Sequence, residues 1–294
     1  MKIIADAGGT KTDWLIIDYA NGEREFFTGG GINPSVMTED EIAASLLELK
    51  AKLESLPSAG PTELYFYGAG CNSQEMAERL KGIFEKTLGR KFEKAEFNSD
   101  ILGAARALFG RRSGVVCILG TGSASALYDG KSLVDSVPSL GYVLGDEGSG
   151  AFMGKMLLNR YFKRELSAEI NAKLEAGHRV GVTEVIRNVY RSPAPNRYLA
   201  SFVPFLKENQ NNEEIESIIS DSQKLFFQKN VLKYKGVEDL AIGFIGGVAD
   251  AFSERLSSLA YSYGFREIKF IKTPIKALGE YHRSQQPQGN SNIF

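Results

Sequence analysis

Residues 2–28 read KIIADAGGTKTDWLIIDYANGEREFFT, and residues 114–137 repeat the same order of features as GVVCILGTGSASALYDGKSLVDSV. Each stretch has an apolar run, a loop of small residues, a second apolar run, a turn pair and a third β-like run. The turn pairs Asn21-Gly22 and Asp129-Gly130 are typical of two-residue type I′ hairpin turns, which need positive φ at both central residues. We therefore predict two three-stranded meanders, each with a small-residue loop after its first strand.

The two small-residue loops are candidate phosphate sites. Such loops leave backbone N–H groups uncovered, and adjacent uncovered N–H groups form a concavity for anions. An ordinary hairpin loop rarely combines Gly-Gly with two threonines and an aspartate at the strand end, so phosphate binding is favoured over a plain turn. The predicted phosphate-binding residues are Gly8, Gly9, Thr10, Lys11 and Thr12 in the first loop and Gly120, Thr121, Gly122 and Ser123 in the second.

The second loop resembles a dinucleotide fingerprint only superficially. A true fingerprint opens a helix, whereas Ser123–Tyr128 reads as a further strand. No Gly-Lys-Ser or Gly-Lys-Thr triplet ends the loop, so it is not a Walker A loop either. We therefore interpret the two loops as two halves of one clamp on a polyphosphate.

Carboxylates are the candidate acid–base and metal groups, because the chain has only two histidines, and neither has a partner at metal-ligand spacing. Asp6, at the end of the first strand, is predicted to hold Mg²⁺ through water, since Mg²⁺ keeps much of its hydration shell. Asn98-Ser99-Asp100 lies at a strand-to-helix junction, and one of its members is expected to cap the helix. Asp100 is predicted to be the general base.

Two further Gly-rich stretches have two interpretations each. Asp146, within Gly145–Gly150, suits hydrogen bonding to sugar hydroxyls, or it is a favourable charge in the first turn of a helix. Gly246-Gly247 is a surface of bare backbone for a nucleoside, or a plain strand-to-helix turn.

Length and composition limit the function classes. A chain of 294 residues favours about two domains, and a net charge of −1 provides no field that attracts nucleic acid or an anionic membrane. The two cysteines, Cys71 and Cys117, are far apart, which argues against a disulfide framework. The apolar runs are shorter than a membrane span requires. We expect a cytoplasmic protein.

Strands alternate with helices in both halves, which predicts a two-lobed α/β protein with mixed sheets. The predicted domain boundary is Gly110–Gly114, giving an N-terminal domain of residues 1–110 with a returning helix in 274–294, and a C-terminal domain of residues 111–273. Helices are predicted over 38–56, 73–88, 99–109, 150–164, 167–176, 182–190, 196–209, 212–234, 248–263 and 274–283.

The order of five motifs resembles one known family. They are DAGGTKT (6–12), NSD (98–100), LGTGS (119–123), LGDEGSG (144–150) and IGGV (245–248). Together they resemble the N-acetylglucosamine kinases and the BadF/BadG/BcrA/BcrD-type ATPases of the sugar kinase–Hsp70–actin superfamily. The resemblance covers nearly the whole chain, although residues 151–238 carry no motif of the family.

The resemblance implies two ribonuclease-H-like (actin-like ATPase) domains and an interdomain cleft that closes over Mg·ATP and a sugar. It implies that Thr10 and Thr121 contact the phosphates, that Asp100 is the base, and that Gly246 and Gly247 lie at the adenosine. The residues it implies for sugar binding are Asn33, Asp100, Ser139, Leu140 and Asp146. The stretch Ser139–Tyr142 differs from the Gly-Trp-Gly type expected in the animal kinases, which leaves the identity of the sugar open.

The predicted function is therefore an ATP- and Mg²⁺-dependent kinase of an amino sugar, with N-acetylglucosamine or glucosamine as the expected substrate. No nucleic acid or membrane partner is expected, and a homodimer is left open. Two alternatives are an ATPase activator of a 2-hydroxyacyl-CoA dehydratase and a non-catalytic sugar or nucleotide sensor. The activator needs exposed cysteines for a shared iron–sulfur cluster, and Cys117 lies inside a predicted strand.

Overall fold

The structure is a computed structural model that describes residues 1–18, 22, 24–56, 61–71, 73–237 and 239–283. The chain divides into two compact units, of which unit 2 is Arg112–Lys272 and unit 1 is Met1–Arg111 together with the chain from Thr273 onward. Each unit contains a five-stranded mixed sheet. The prediction of an α/β fold with two mixed sheets is confirmed.

The sheet of unit 1 begins with the predicted meander. Strand order is β3-β2-β1-β4-β5, in which β1, β2 and β3 are antiparallel and β4 and β5 continue the sheet in parallel on the other side of β1. The strands are β1 (Lys2–Ala7), β2 (Lys11–Ile17), β3 (Arg24–Gly30), β4 (Glu63–Gly68) and β5 (Lys94–Ser99). The helices of this part of the chain are α1 (Glu39–Ser45), α2 (Leu47–Ser55), α3 (Gln74–Leu88) and α4 (Asp100–Phe109).

Alternation along β1 places apolar side chains on both faces of the sheet. Ile3 belongs to a core cluster with Phe84 of α3, whereas the adjacent Ile4 packs on the opposite face. A central strand with both faces covered explains why β1 is almost wholly apolar up to Asp6. Helix α1 starts at a capping box, in which Thr38 Oγ1 accepts from Glu41 N and Thr38 N donates to Glu41 Oε2.

The sheet of unit 2 repeats this arrangement with strand order β10-β9-β6-β7-β8. Its strands are β6 (Gly114–Leu119), β7 (Ser123–Tyr128), β8 (Leu133–Asp135), β9 (Ala241–Ile245) and β10 (Ile268–Ile271). Its helices are α5 (Gly141–Leu144), α6 (Gly150–Phe162), α7 (Ala168–Gly177), α8 (Val182–Tyr190), α9 (Pro195–Ala200), α10 (Val203–Glu208), α11 (Glu213–Lys229), α12 (Gly247–Ala251) and α13 (Ser253–Ser262), with a 3₁₀ turn at Val231–Lys233. The core joins one face of β6 to these helices.

The last helix, α14 (Ile275–Arg283), packs in unit 1 against β1, β2 and α4. Its His282 is buried, with Nε2 2.7 Å from the Tyr67 hydroxyl, and its carbonyl accepts a hydrogen bond from Lys2 Nζ. Burial, with the nearby positive charge of Arg106, lowers the pKa of His282 to about 3. This imidazole is therefore neutral and helps to hold α14 in place.

The predicted type I′ turn at Asp129-Gly130 is wrong. Of the two residues only Gly130 has positive φ, and the connection between β7 and β8 is longer, because Asp129 N donates to Ser132 O. The Asp129 side chain accepts from the N–H groups of Lys131 and Ser132, so it stabilises this wider turn itself. Asn21 of the other turn pair lies outside the described residues.

Four of the predicted helices are interrupted. Residues 38–56 form α1 and α2, which are separated at Leu46. Residues 196–209 form two helices, since Pro204 has no N–H to donate and instead lies in the first turn of α10. Residues 212–234 form α11 and then a 3₁₀ turn, with Asn230 as the C-terminal cap of α11. Residues 248–263 break at Phe252. Within the described ranges, no helix combines the length and apolarity needed to cross a membrane.

We predict that Gly154 cannot be replaced in α6. A Cβ there would lie 1.9 Å from the Leu199 carbonyl oxygen of α9, so Gly154→Ala should lower the free energy of unfolding by about 1–3 kcal/mol. Urea unfolding followed by circular dichroism measures the change. Gly82→Ala in α3 is the control, because nothing lies within 4 Å of its Cβ, and it should stabilise by about 0.5–1 kcal/mol. Equal midpoints for the two variants would contradict the packing described here.

Candidate functional site

In unit 1 the predicted site residues lie where the parallel strands end. Strand β1 pairs with β4 so that Asp6 is opposite Tyr67, and β4 pairs with β5 so that Gly68 is opposite Ser99. The carboxyl ends of parallel strands meet at one edge of a sheet, which is where ligands bind in open α/β folds. Asp6 and Asp100 thus come to the same edge.

The first loop is shaped by its neighbours. Gly8 N donates to Lys11 O, and Gly8 O accepts from Ile32 N. A Cβ at Gly31 would lie 2.6 Å from the backbone of Gly9 and of Thr10, so the segment after β3 can pass over the loop only as glycine. The motifs did not single out Gly31, although the Gly29–Gly31 triplet was a visible signal.

The members of the first loop differ in exposure. Gly8, Gly9, Thr10 and Lys11 are exposed. Lys11 Nζ lies 2.6 Å from Asp13 Oδ2, and the other oxygen of Asp13 accepts from Thr28 Oγ1. Thr12 is wholly buried, and its Oγ1 has no hydrogen-bond partner within the described residues. The structure therefore places Thr12 in the sheet and not on the exposed part of the loop, because β2 already begins at Lys11 and its side chains alternate from there.

Burial and mutual repulsion dominate the electrostatics of this edge. Desolvation, followed by the negative charges of Asp13 and Asp100, raises the pKa of Asp6 to about 7. Desolvation also raises the pKa of Asp100, against the hydrogen bond from the Ile101 N–H. Two half-buried carboxyls with raised pKa values at one strand edge are typical of functional sites.

A cation near Asp6 would relieve this repulsion. Carboxylate oxygens suit Mg²⁺, which binds through few protein ligands and keeps several waters. In the described part of the chain, no three His, Cys, Asp or Glu side chains converge to form a direct metal site. The residues present therefore fit a hydrated Mg²⁺ held through water, and not a closed protein cage.

At the junction of β5 and α4, the residue that caps the helix and the candidate general base are different residues. Ser99 is the N-cap, and its Oγ accepts from Leu102 N. Asp100 is the first residue of the helix, with Oδ1 2.8 Å from Ile101 N. Because Ser99 caps the helix, the Asp100 carboxyl is not required for that purpose.

Asn33 is held in a turn after β3. Its Oδ1 accepts from Ser35 N at 3.1 Å, and its carbonyl accepts from Val36 and Met37. A Cβ at Gly70, in the loop that follows β4, would lie 2.6 Å from Asn33 Oδ1. Asn33 therefore lies beside the loop that leaves β4, in the same unit as Asp6 and Asp100.

In unit 2 the second loop is tied to helix α6. Gly150 N donates to Gly120 O and Ala151 N donates to Thr121 O, while Gly120 N donates to Gly122 O. No hydrogen bond in the described part of the chain uses the backbone N–H groups of Thr121 and Gly122. The loop thus combines a rigid attachment with two uncovered donors, as an anion site requires.

Asp146 links the second loop to the chain before it. Its Oδ1 accepts from Ser123 N at 3.2 Å and from Ser139 Oγ at 3.1 Å, and a Cβ at Gly122 would lie 3.0 Å from its Oδ2. It adopts positive φ, which is uncommon for a residue other than glycine. Burial raises the pKa of Asp146, and these hydrogen bonds oppose the shift.

A cavity of about 230 Å³ brings the predicted sugar-binding residues of unit 2 together. Ser139, Leu140 and Asp146 line it, with Ser123 of the second loop. Lys229 and Asn230 line it as well. Sequence reasoning missed these two residues, because they lie in the segment without motifs and nothing local marks them.

Gly246 and Gly247 differ in their surroundings. Gly246 has φ +117°, and a Cβ there would lie 2.4 Å from the Leu119 carbonyl oxygen, so the turn from β9 to α12 crosses β6 at close range. Gly247 begins α12 with open space around it. A polar groove of about 900 Å³ lies beyond the end of α12, and its lining includes Gln210, Gln223 and Asp250.

Both cysteines are buried. Cys117 lies in β6, where desolvation raises its pKa well above the ordinary value, and desolvation raises the pKa of Cys71 to about 11. Neither thiol is placed to ligate a cluster at a protein surface.

Comparison with solved structures identifies similar proteins. A candidate N-acetylglucosamine kinase from Porphyromonas gingivalis is 36% identical, with a TM-score of 0.90 over 97% of this chain and 99% of that one. A candidate N-acetylglucosamine kinase from Chromobacterium violaceum is 18% identical, with a TM-score of 0.72 over 95% and 98% of the two chains. A ROK family glucokinase from Streptomyces griseus, in complex with glucose and AMPPNP, is 16% identical, with a TM-score of 0.52 over 98% and 99%.

The last two similarities show the fold alone. No protein-family model and no curated protein matches the sequence. The predicted resemblance and the two-domain, ribonuclease-H-like fold class are confirmed by these structures.

The raised pKa of Asp6 predicts a pH-dependent stability of the ligand-free protein. The folded state binds the Asp6 proton more tightly than an unfolded chain does. The stabilisation of the fold by this proton is therefore complete below pH 3.8, the ordinary pKa, and is lost as the pH rises through about 7. Asp6→Asn cannot ionise. The free energy of unfolding of Asp6→Asn, relative to that of the wild type, should therefore rise by about 2–3 kcal/mol between pH 5 and pH 8.

Urea unfolding at the two pH values measures this difference. Asp40→Asn, on the exposed first turn of α1, is the control and should leave the trend with pH unchanged. A constant difference between Asp6→Asn and the wild type would show that the Asp6 carboxyl is not held in the environment described here.

Proposed function

This chain belongs to the N-acetylglucosamine kinase family of ATP-dependent sugar kinases, and from that premise we propose that it transfers the γ-phosphoryl group of ATP to a hydroxyl of an amino sugar. N-acetylglucosamine and glucosamine are the expected acceptors. The observation that carries the proposal is the junction at Asp100, where a half-buried carboxyl of raised pKa lies at the strand edge while the neighbouring Ser99 caps the helix.

The phosphates of ATP are assigned to the two small-residue loops. In unit 1 the exposed Gly8, Gly9, Thr10 and Lys11 offer backbone, a hydroxyl and an ammonium group. In unit 2 the uncovered N–H groups of Thr121 and Gly122 are the donors. Uncovered amides of this kind neutralise phosphate charge without needing to reorganise during the reaction.

The sugar is assigned to Asn33 and Asp100 in unit 1 and to the Asp146 cavity in unit 2. The Ser123 N–H and the Ser139 hydroxyl both donate to Asp146 Oδ1, and these hydrogen bonds hold the Asp146 carboxylate in place. A carboxylate fixed in this way presents its remaining acceptor positions in a defined direction, which suits pairs of sugar hydroxyls.

The nucleoside is assigned to the start of α12 and the groove beyond it. Gly247 has open space where a side chain would stand and offers bare backbone to a nucleoside, whereas Gly246 lets the turn pass close to Leu119. The polar groove that follows α12 has room for a purine and offers amide groups from Gln210 and Gln223.

Phosphoryl transfer requires positioning and charge stabilisation more than covalent participation of the protein. Mg²⁺, held through water at Asp6, would supply positive charge to the phosphate oxygens. The sugar hydroxyl oxygen forms a bond to the γ-phosphorus, the bond from that phosphorus to the bridging oxygen breaks, and ADP leaves. Asp100 accepts the hydroxyl proton, and its raised pKa brings it closer to the working pH of a general base.

We predict that Asp100→Asn lowers kcat by about 10²- to 10⁴-fold while the KM for ATP stays near the wild-type value, because the variant loses only the proton acceptor. Initial rates of ADP release with a saturating amino sugar measure the effect. The amide preserves the size of the side chain, so the fold should be retained.

Ser99→Ala is the matched control at the adjacent position. It removes the helix cap and should cost about 0.5–2 kcal/mol of stability with little change in kcat. If Asp100→Asn keeps more than a tenth of the wild-type kcat, Asp100 is not the base.

A further inference from the structure

We propose that Asn230 is a substrate-selecting residue of the unit 2 cavity and that its side-chain amide recognises the acylamino group of an N-acylated sugar. The inference rests on the proposed kinase function and specifies the substrate class. It concerns the segment Lys229–Tyr234, which follows α11 and carries none of the five motifs.

The backbone around Asn230 is fixed. Its N–H donates to Phe226 O at the end of α11, and its carbonyl accepts from Lys233 N in the 3₁₀ turn. Both backbone groups are therefore used, and the side chain is not required to cap the helix.

Two contacts anchor the same segment to the chain around the cavity. Lys229 Nζ lies 2.8 Å from Glu147 Oε1, next to Asp146. The Tyr234 hydroxyl lies 2.6 Å from Ser125 Oγ and accepts a hydrogen bond from Val137 N, on the stretch that leads to Ser139. These contacts hold the segment in place as one wall of the cavity, next to the residues assigned to the sugar.

The Asn230 amide lacks a partner inside the protein. The residue is 8% exposed and lines the cavity. No hydrogen bond in the described part of the chain uses its side chain. The amide nitrogen and oxygen are therefore available to a ligand in the cavity, and a ligand that offers both a donor and an acceptor would bond both of them.

The rest of the cavity indicates which ligand group fits. Asp146, Ser123 and Ser139 form a polar side, whereas Val137, Leu140 and Leu144 provide apolar surface. An acylamino group has an N–H, a carbonyl oxygen and an alkyl end. The side-chain amide of Asn230 complements the first two reciprocally, and the apolar surface complements the third. A free amine has neither the carbonyl nor the alkyl group.

The test compares kcat/KM for N-acetylglucosamine and glucosamine in the wild type, Asn230→Ala and Asn230→Asp. Asn230→Ala should lower kcat/KM for N-acetylglucosamine by about 10- to 100-fold and change that for glucosamine by less than about threefold. Asn230→Asp keeps an acceptor, loses the donor and adds a negative charge. It should therefore shift the preference further towards the protonated amine of glucosamine. The KM for ATP should not change in either variant.

Asn171→Ala is the control for truncation of a partly buried asparagine in the same unit, because Asn171 donates to Leu166 O away from the cavity. It should leave the ratio of the two sugars unchanged, and melting temperatures report whether each variant folds. If the wild type phosphorylates neither sugar, the proposed function fails. If the wild type is active and Asn230→Ala retains its selectivity, only the role of Asn230 is overturned.

Discussion

Both candidate phosphate loops depend on the approach of one backbone to another at distances that exclude a side chain. In unit 1, Gly31 crosses the backbone of Gly9 and Thr10, and in unit 2, Gly246 crosses the carbonyl of Leu119. A methyl group at either position would push the crossing segments apart, because neither contact leaves room for it. The loop geometry of each unit is thus set by glycines outside the loop. Asp6 at the end of β1, and Asp146, which accepts from Ser123 N, lie beside these loops.

The carboxyls of Asp6 and Asp146 are stabilised in different ways. Asp6 is half-buried near two other carboxyls, and desolvation followed by their negative charges raises its pKa; a hydrated cation would offset the repulsion. Burial also raises the pKa of Asp146, yet its Oδ1 accepts hydrogen bonds from Ser123 N and Ser139 Oγ. The first carboxyl is suited to attract a charge, and the second is suited to orient a neutral polyol.

Much of this arrangement could be predicted from the sequence, because the signals were local. Paired apolar runs around small loops predicted both meanders, and the helix predicted from residue 38 does begin there, with Thr38 as its N-cap. Thr12 was assigned to the loop, although alternation from Lys11 places it in the core. Asn230 and Lys229 could not be predicted, since Lys229 meets Glu147 from 82 residues away and no periodic pattern marks the contact. The wide turn at Asp129 was missed because an Asp side chain can close its own turn as readily as it enters a type I′ turn.

Transfer of phosphate to a sugar is the central claim, and product analysis tests it most directly. The protein is incubated with Mg·ATP and, separately, with N-acetylglucosamine, glucosamine, glucose or no sugar, and ADP and phosphorylated sugar are quantified by phosphorus NMR. The account predicts equal amounts of ADP and sugar phosphate with an amino sugar, and little ADP without one, because the sugar hydroxyl is the acceptor. ADP release that does not depend on sugar would contradict the account, as would binding of sugar and ATP without any product.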